Sequence, residues 1–265
     1  MRFYKITNES EFHNGLQYQD GLNIDPLPFA PEGDCVPGGI YFVREDIFAF
    51  LYYGPWVREV TIPEDARMVE NPGDPPRKWR ADRVILGPRR RIDVDVIREL
   101  LDEGADIHSC DDYIIRYFSG YGNLEIVRLL LDRGADINAC GDEALRHSSL
   151  RGHLEVVRLL LDRGADVHAQ DDEALRNASE NGHLEIVRLL LDRGANVHAG
   201  DDYALRWASG KGHLEVVRLL LDRGADVYAR DETAFRWANI YGHTEIARLL
   251  LDRNPAIHIC GNYAL

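Results

Sequence analysis

The sequence predicts a mainly α-helical protein, in which a solenoid of 30-residue repeats follows a small α+β domain. Two observations carry this prediction. The segment "LLLDR" recurs, and each copy starts thirty residues after the previous one, at Leu129, Leu159, Leu189, Leu219 and Leu249. A fixed period of roughly 20 to 50 residues is the signature of stacked repeats. Residues 1–88 lack this period and contain short apolar segments that are typical of β-strands.

Composition narrows the classes of function that fit the chain. With 265 residues, 45% of them hydrophobic, the protein can bury a sizeable core. The formal net charge of -14 disfavours binding to phosphate backbones, so we expect no nucleic-acid partner. We find no apolar run that could span a membrane and no signal-peptide pattern. The four cysteines form no CxxC pair, so we predict no metal site and no cofactor, and we expect a cytoplasmic protein with free thiols.

The predicted α+β domain covers residues 1–88. Strands are predicted for "FYKIT", "GGIYFV", "VREVTIP" and "DRVIL". A helix is predicted for "REDIFAFLYYG", with Ile47, Phe48 and Leu51 on one face. The Pro/Gly-rich tract "NPGDPPRKWR" is interpreted as a basic connection, and "GPRRRID" joins the domain to the repeats. We expect the basic side chains between residues 78 and 91 to dock on acidic repeats or to be solvated; the alternative is that they form an anion site. These side chains are Lys78, Arg80, Arg83, Arg89, Arg90 and Arg91.

Each repeat contains two predicted helices. The first is "HLEVVRLLLDRG", whose apolar face is so broad that it requires neighbours on more than one side: Leu154, Val157, Leu160 and Leu161. Gly164 ends this helix, because glycine adopts the left-handed cap conformation easily. The second helix is "DEALRNAS", for which Asp172 is the predicted N-cap. Eight residues do not form a stable helix alone in water, so this helix depends on the stack.

The order "GADVHA", "DEALRNAS" and "NGHLEIV" resembles the ankyrin repeat. The resemblance covers residues 92–265, with a partial first unit at 92–108, five units at 109–258 and a truncated last unit at 259–265. It implies an L-shaped helix pair in each unit, a turn that projects from one edge, and an array that binds other proteins. Ankyrin units usually have about 33 residues, so the shorter units of this chain predict shortened fingers.

Two columns of residues recur with the repeat. "EALR" replaces the "TPLH" of the family, and each arginine follows an acidic residue by four positions, which predicts a ladder of i,i+4 ion pairs; a ligand-binding stripe is the alternative: Arg116, Arg146, Arg176, Arg206 and Arg236. The histidines of "GH" are too far apart to share a metal ion, so we predict structural hydrogen bonds for His153, His183, His213 and His243.

Positions that differ between otherwise similar units identify the candidate binding site. They lie four residues apart in the second helix and the turn after it, hence on one side, which in the ankyrin family is the concave side. The predicted partner-binding residues are Tyr113, Tyr117, Tyr121, His147, Arg151, Asn177, Asn181, Tyr203, Trp207, Lys211, Trp237 and Tyr241. Two aromatic ends flank a polar middle, and Trp and Tyr dominate interface energetics. We predict a protein-binding groove; the alternative is that some rings pack between units as core.

The sequence therefore predicts a non-enzymatic interaction scaffold for another protein. The segments "CVPGGIYF", "FLYYGPW" and "KWRADRVIL" resemble a domain that precedes ankyrin arrays in proteins of giant DNA viruses, which suggests a viral source. The resemblance to viral ankyrin proteins implies that the array engages a host protein in the host cytoplasm. One alternative is an enzyme of nucleotide or ADP-ribosyl chemistry in the first domain, built on His13, Tyr18 and Glu45, with the array selecting its substrate. Another is a structural virion protein that self-associates through the uncapped last unit.

Overall fold

A computed structural model describes residues 2–32, 37–71 and 76–253, and it contains a strand-rich domain followed by helical repeats. The chain divides into two compact units. One holds the residues up to Tyr117 together with Glu125–Asp136; the other holds Phe118–Leu124 and the array from Ile137 onward. The first helical repeat therefore belongs to the same unit as the strands. The domain boundaries at residues 88 and 92 remain predictions, and the truncated last unit lies outside the described residues.

Antiparallel strands build the first domain: β1 (Phe3–Thr7), β2 (Phe12–His13), β3 (Leu16–Gln17), β4 (Gly21–Ile24), β5 (Ile40–Phe42), β6 (Trp56–Thr61), β7 (Met68–Glu70), β8 (Trp79–Ala81), β9 (Arg83–Leu86) and β10 (Arg90–Arg91). The larger sheet has the order β1-β6-β9-β4, with β10 beside β6. The smaller sheet has the order β5-β8-β7, and β2 and β3 form a separate hairpin. The four strands predicted from the sequence are confirmed.

The core of this domain lies between the two sheets. Its buried residues come from β5 and β8 of the smaller sheet, from β6 and β9 of the larger one, and from the segment before β4: Tyr18, Ile40, Phe42, Val60, Ala81, Val84 and Leu86. A single bridge between Tyr4 and Val43 connects β1 to the end of β5. Because each sheet buries one face against the other, the domain is a small two-layer structure.

The helix predicted after Arg44 is a 3₁₀ helix, Ile47–Tyr53, and it buries Ile47, Phe48 and Leu51 as expected. Its N-cap residue, Asp46, does not cap the first turn. The Asp46 carboxylate instead accepts from the Arg77 backbone N–H at 2.5 Å and from the Ser109 hydroxyl at 3.1 Å. Gly54 ends the helix with φ 154°, where a Cβ would lie 2.3 Å from the Thr7 carbonyl oxygen. The tract interpreted as a connection ends within strand β8, because it includes Trp79 and Arg80.

The repeats alternate two kinds of helix. The shorter ones are α1 (Val94–Asp102), α3 (Leu124–Asp132), α5 (Leu154–Asp162), α7 (Leu184–Asp192), α9 (Leu214–Asp222) and α11 (Thr244–Arg253). The longer ones are α2 (Ser109–Gly120), α4 (Ala139–Leu150), α6 (Ala169–Glu180), α8 (Ala199–Lys211) and α10 (Ala229–Ile240). In α5 the residues Val157 and Leu160 are fully buried as predicted, whereas Leu154 and Leu161 are half-buried. None of the described helices combines the length and apolar character that crossing a bilayer requires.

Each longer helical span opens with three residues in the left-handed region, before regular α-helix begins. In α6 these are Gln170, Asp171 and Asp172, with φ of 54°, 58° and 53°. The prediction that Asp172 caps its own helix was wrong. Its carboxylate accepts from the Asn196 backbone N–H at 2.7 Å and lies 3.1 Å from His168 Nδ1. The left-handed segment turns this buried side chain away from its own first turn and toward the connection that follows α7.

The arginine column bonds to these left-handed segments. Within the described residues, Arg176 and Arg206 do not form the predicted i,i+4 ion pairs. At four of the five positions, the guanidinium instead donates to one or two backbone carbonyls at the start of its own helical span. Arg206 donates to the carbonyls of Asp201 and Gly200, at 2.9 and 2.8 Å. Both contacts recur at Arg116 and Arg146, whereas Arg176 makes one of them, to the Gln170 carbonyl at 2.9 Å. Left-handed residues direct these carbonyls toward the arginine, and the aspartate has partners elsewhere.

The histidine column makes the predicted structural hydrogen bonds. In each case Nε2 lies 3.0–3.1 Å from a carbonyl oxygen 33 residues earlier, at His153, His183, His213 and His243. The glycine that lies 31 residues before each of these histidines makes room for the imidazole ring. Gly182, for example, has φ 75°, and a Cβ on it would lie 2.6 Å from the ring of His213. Cys110 and Cys140 are free and exposed, as expected, whereas Cys35 and Cys260 lie outside the described residues.

Candidate functional site

From α4 to α10, the positions that vary between units form three rows with graded exposure. The first row is half-buried and contains Glu143, Glu173, Tyr203 and Thr233. The second row is also half-buried and contains His147, Asn177, Trp207 and Trp237. The third row is exposed and contains Arg151, Asn181, Lys211 and Tyr241. The alanines that follow the first row, such as Ala174 and Ala204, are buried, so the three rows share the accessible side of these helices.

Three rings of this surface touch each other, and we name Tyr203, Trp207 and Trp237 the aromatic cluster. Tyr203 stacks on Trp207 with ring centroids 5.5 Å apart and an interplanar angle of 26°. Trp207 meets Trp237 edge to face at 5.0 Å and 76°. Both geometries are favourable for aromatic pairs. The cluster therefore joins α8 and α10 into one apolar surface, and the exposed Lys211 ammonium lies 5.6 Å from the Trp207 ring centroid.

Neighbouring groups fix the orientation of the aromatic cluster. Gly210 has no side chain where Trp237 packs; a Cβ there would lie 3.0 Å from the indole Cε3. The Tyr203 hydroxyl donates to the Glu180 carboxylate at 3.0 Å. Burial and the Glu180 carboxylate raise the pKa of Tyr203 to about 12, so its hydroxyl remains a neutral donor. The Arg176 and Arg206 guanidinium groups lie 5.3 and 5.7 Å from the Tyr203 ring.

The middle of the surface is polar, and its side chains bind each other. The Arg146 guanidinium pairs with the Glu173 carboxylate at 2.8 Å across two units. Asn177 donates to that same carboxylate at 3.4 Å, and the Asn181 side chain donates to the backbone carbonyl of Asn177 at 2.8 Å. His147 lies 3.5 Å from Glu143. Such a connected network presents defined donors and acceptors, which suits a role in selecting a partner by hydrogen bonds.

The other predicted aromatic end falls in both compact units. Tyr113 and Tyr117 belong to the first unit, with ring centroids 5.8 Å apart and the Arg116 guanidinium 5.4 Å from the Tyr113 ring. Tyr121 belongs to the second unit, is 61% exposed and lies 5.3 Å from the Arg151 guanidinium. Tyr203, Trp207 and Trp237 thus form one contiguous cluster within the second unit.

The residues considered for an enzyme are only partly brought together. His13 and Tyr18 line one cavity of the first domain, but Glu45 does not. Sequence reasoning missed the most unusual residue of that cavity, the buried Lys5, because a lysine inside "FYKIT" fits an ordinary strand with one solvated face. It also missed Gly210, for which a signal was available: glycine occupies this position in the unit before Trp237, and the equivalent positions hold glycine at Gly120 but leucine, glutamate or isoleucine in the other units. Within the described residues, no group of three His, Cys, Asp or Glu side chains could hold a metal ion.

Comparisons with known proteins agree with this architecture. A family model for ankyrin repeats in three copies matches residues 90–171 and 175–262. An ankyrin repeat protein of Acanthamoeba polyphaga mimivirus is 38% identical over 134 residues, which cover 45% of this chain and 44% of the relative. An uncharacterised protein of the same virus is 40% identical over 113 residues, which cover 40% of this chain and 80% of that protein. Another ankyrin repeat protein of the virus is 35% identical over 131 residues, 46% of this chain and 63% of the relative.

Proposed function

Because the chain belongs to the ankyrin-repeat family, we propose that its helical array is an interaction scaffold that binds another protein. Proteins of this family generally act without catalysis. The observation that carries the proposal is the aromatic cluster, whose half-buried rings lie on the accessible side of α8 and α10 beside the exposed Lys211 and Tyr241. Partly exposed Trp and Tyr rings are typical anchors of protein interfaces.

The proposed mechanism divides the surface into an anchor and a selector. Burial of the aromatic cluster supplies affinity, because large rings remove much apolar area from water at a low cost in conformational entropy. The polar network around Glu173 and Asn177 supplies selectivity, since a partner that leaves these groups unpaired loses binding energy. Three cations lie within about 6 Å of ring centroids of the cluster, those of Arg176, Arg206 and Lys211, while the Glu180 carboxylate is bound to the Tyr203 hydroxyl. We therefore expect the partner to present an apolar segment with neighbouring acidic residues.

We further propose that the partner is a host protein. The support is the origin of the relatives, which are proteins of a giant DNA virus. The chain spans only 44% of the first of these relatives, so the proposal concerns the array described here and the partner it engages. In an infected cell the array would act in the cytoplasm, where a viral scaffold can hold a host protein in place.

Capture from host lysate, followed by binding measurements with the purified partner, tests the proposed function. The variant Trp207→Ala/Trp237→Ala removes two of the three rings, and we expect its affinity to fall at least about 100-fold. The control is Arg158→Ala, an exposed residue of α5 outside the three rows, which should bind like the wild type. Circular dichroism must show that both variants fold. Unchanged binding of the tryptophan variant would refute the anchor role, and unfolding of the array would assign these rings to the core.

A further inference from the structure

The first domain contains a cavity of about 310 Å³ whose walls are mainly aromatic. They include Phe12, Tyr18, Tyr41, Phe50, Tyr52 and Tyr53. At the mouth, the rings of Tyr52 and Tyr53 are 60% and 46% exposed, with centroids 4.4 Å apart. Ligand sites typically have volumes from about 300 Å³ upward, with apolar and aromatic walls and a few polar groups. The size of this cavity suits a molecule of one or two rings.

Lys5 of β1 is the polar group inside this cavity. It is 8% exposed, and its ammonium donates to the Tyr41 carbonyl at 2.7 Å and lies 4.6 Å from the Tyr18 ring centroid. An ammonium group has three N–H donors. Among the described residues, the Tyr41 carbonyl is its single hydrogen-bond acceptor, and no carboxylate lies within ion-pair distance. Two donors of a buried cation are therefore available to a molecule in the cavity.

Arg58, one of the buried arginines of the same domain, is a cation whose charge is compensated. Arg58 pairs with Glu11 at 2.7 Å and with Asp20 at 2.6 Å. Glu11 also lines the cavity, but both of its carboxylate oxygens are bound to Arg58. It therefore offers little charge to Lys5. Burying a cation without a counter-charge is costly, which is why most buried charges in proteins are paired.

The electrostatics of the cavity point the same way. Burial lowers the pKa of Lys5 to about 7, and no acidic group offsets this effect. Burial, together with the charge of Lys5, also lowers the pKa of His13. Lys78 lines the cavity as well, with its ammonium 5.8 Å from the Tyr41 ring centroid. A protein of net charge -14 thus places two lysines in the walls of one cavity.

We propose that this cavity binds a planar organic anion, one or two aromatic rings carrying a carboxylate or a phosphate. The anionic group accepts from the Lys5 ammonium and supplies the counter-charge that the protein omits. The ring lies among the aromatic walls, where offset and edge-to-face contacts are favourable. A cationic ligand would be repelled by Lys5 and Lys78, and a neutral one would leave the buried ammonium unpaired. The proposed site is independent of the partner surface on the array.

Ligand-observed fluorine NMR with the full chain tests this proposal. The probes are fluorobenzoate, fluorophenyl phosphate and, as the neutral counterpart of similar shape, fluorobenzyl alcohol. We expect at least one anion to bind at least about tenfold more tightly than the alcohol, which corresponds to one good charge-assisted hydrogen bond. A comparison of the two anions shows whether the site prefers a carboxylate or a phosphate. Equal affinity for the alcohol and both anions, or no binding of any probe, would overturn the proposal.

The variant Lys5→Met tests whether Lys5 causes the preference for the anion over the alcohol. Methionine keeps the length of the side chain without its charge, and we expect the preference for the anion to vanish while the alcohol binds as before. Lys211→Met, on the array, is the matched control and should keep the wild-type preference. If Lys5→Met does not fold, Tyr53→Ala at the mouth replaces it: weaker binding of the preferred anion supports the cavity as the site. A preference that survives in Lys5→Met, or anion binding that Tyr53→Ala leaves unchanged, would contradict it.

Discussion

Two adjacent aspartates show how far residue type determines role. Asp171 and Asp172 belong to the same "DD" pair, yet Asp171 is exposed and Asp172 is 4% exposed. The buried carboxylate accepts from the Asn196 backbone N–H, and equivalent bonds join Asp142 to Asp166 and Asp202 to Asp226. A backbone N–H that donates to a buried carboxylate contributes to stability, because a buried charged group without hydrogen-bond partners is costly. The repeat thus uses one acid of each pair as part of its framework.

Lys5 gives the stability of the first domain a dependence on pH. Below pH 7 the lysine carries its proton in the folded and the unfolded chain, and the cost of the buried charge is fully present. Between about pH 7 and 10.5 the unfolded chain keeps this proton while the folded chain releases it, so folding becomes more favourable as pH rises. We expect the wild type to gain stability over this range, relative to Lys5→Met, on the order of a few kcal/mol.

Urea denaturation between pH 6.5 and 9.5 measures this difference. In a background of Trp207→Phe and Trp237→Phe, the fluorescence of Trp56 and Trp79 reports on the first domain alone. Subtraction of the Lys5→Met curve cancels the titration of all other groups, so the remaining slope belongs to Lys5. Parallel curves for the two proteins would show that Lys5 titrates near its ordinary pKa and that the cavity does not desolvate it.

Residues whose role follows from spacing could be predicted, and residues whose role follows from backbone direction could not. The histidine column was predicted correctly, because a repeat distance alone excludes a shared metal ion and leaves a hydrogen bond. For Arg176 the ion-pair prediction failed because it assumed regular helix between Asp172 and the arginine. The positive φ of Asp172 removes that geometry. The partner-binding residues remain a prediction, although the structure brings three of them into one cluster.

At the scale of elements, the left-handed segments replace the longer turn of the usual unit. Three consecutive residues with positive φ lie near the start of the spans α4, α6, α8 and α10, before regular α-helix begins. Residues other than glycine pay a steric cost in this region. The chain places glycine there only twice within these spans, at Gly141 and Gly200. This scarcity explains why the sequence predicted two helices per unit but gave no sign of their left-handed start.

Glycine at a left-handed position should therefore stabilise the array. Asp171 is exposed and has φ 58°, so Asp171→Gly relieves backbone strain, and we expect a gain of about 0.5–1 kcal/mol in the free energy of unfolding. Arg158→Gly is the matched change at an exposed position of the right-handed helix α5 and should cost about 1 kcal/mol. Thermal and urea denaturation distinguish the two signs. A loss of stability in both variants would contradict the assignment of a left-handed segment.

At the scale of the whole molecule, the strand-rich domain and the first repeat behave as one piece. The Tyr4 hydroxyl donates to the Glu103 carboxylate at 2.8 Å, just after α1. Arg90 binds Glu99 of α1 through two hydrogen bonds, of 3.0 and 2.6 Å. Both contacts lie within the first compact unit, which extends well beyond residue 88. The sequence predicted a domain boundary near residue 88 because the repeat pattern begins there. A pattern of this kind reflects local structure, whereas the two contacts join residues that are far apart in the chain.

The first domain should consequently act as the N-terminal cap of the array. Solenoids need a terminal element that protects the last apolar face, and α1 buries Val96, Ile97 and Leu100. In a chain of residues 92–265 alone, we expect the amides of α1 to exchange with solvent at least about tenfold faster than in the full protein, because local opening costs less without the cap. The amides of α7 and α9 serve as the internal reference, since nearest-neighbour stacking confines the effect to the array's first repeats. Equal protection of α1 in both chains would mean that the repeats stabilise themselves and that the contacts of Tyr4 and Arg90 contribute little.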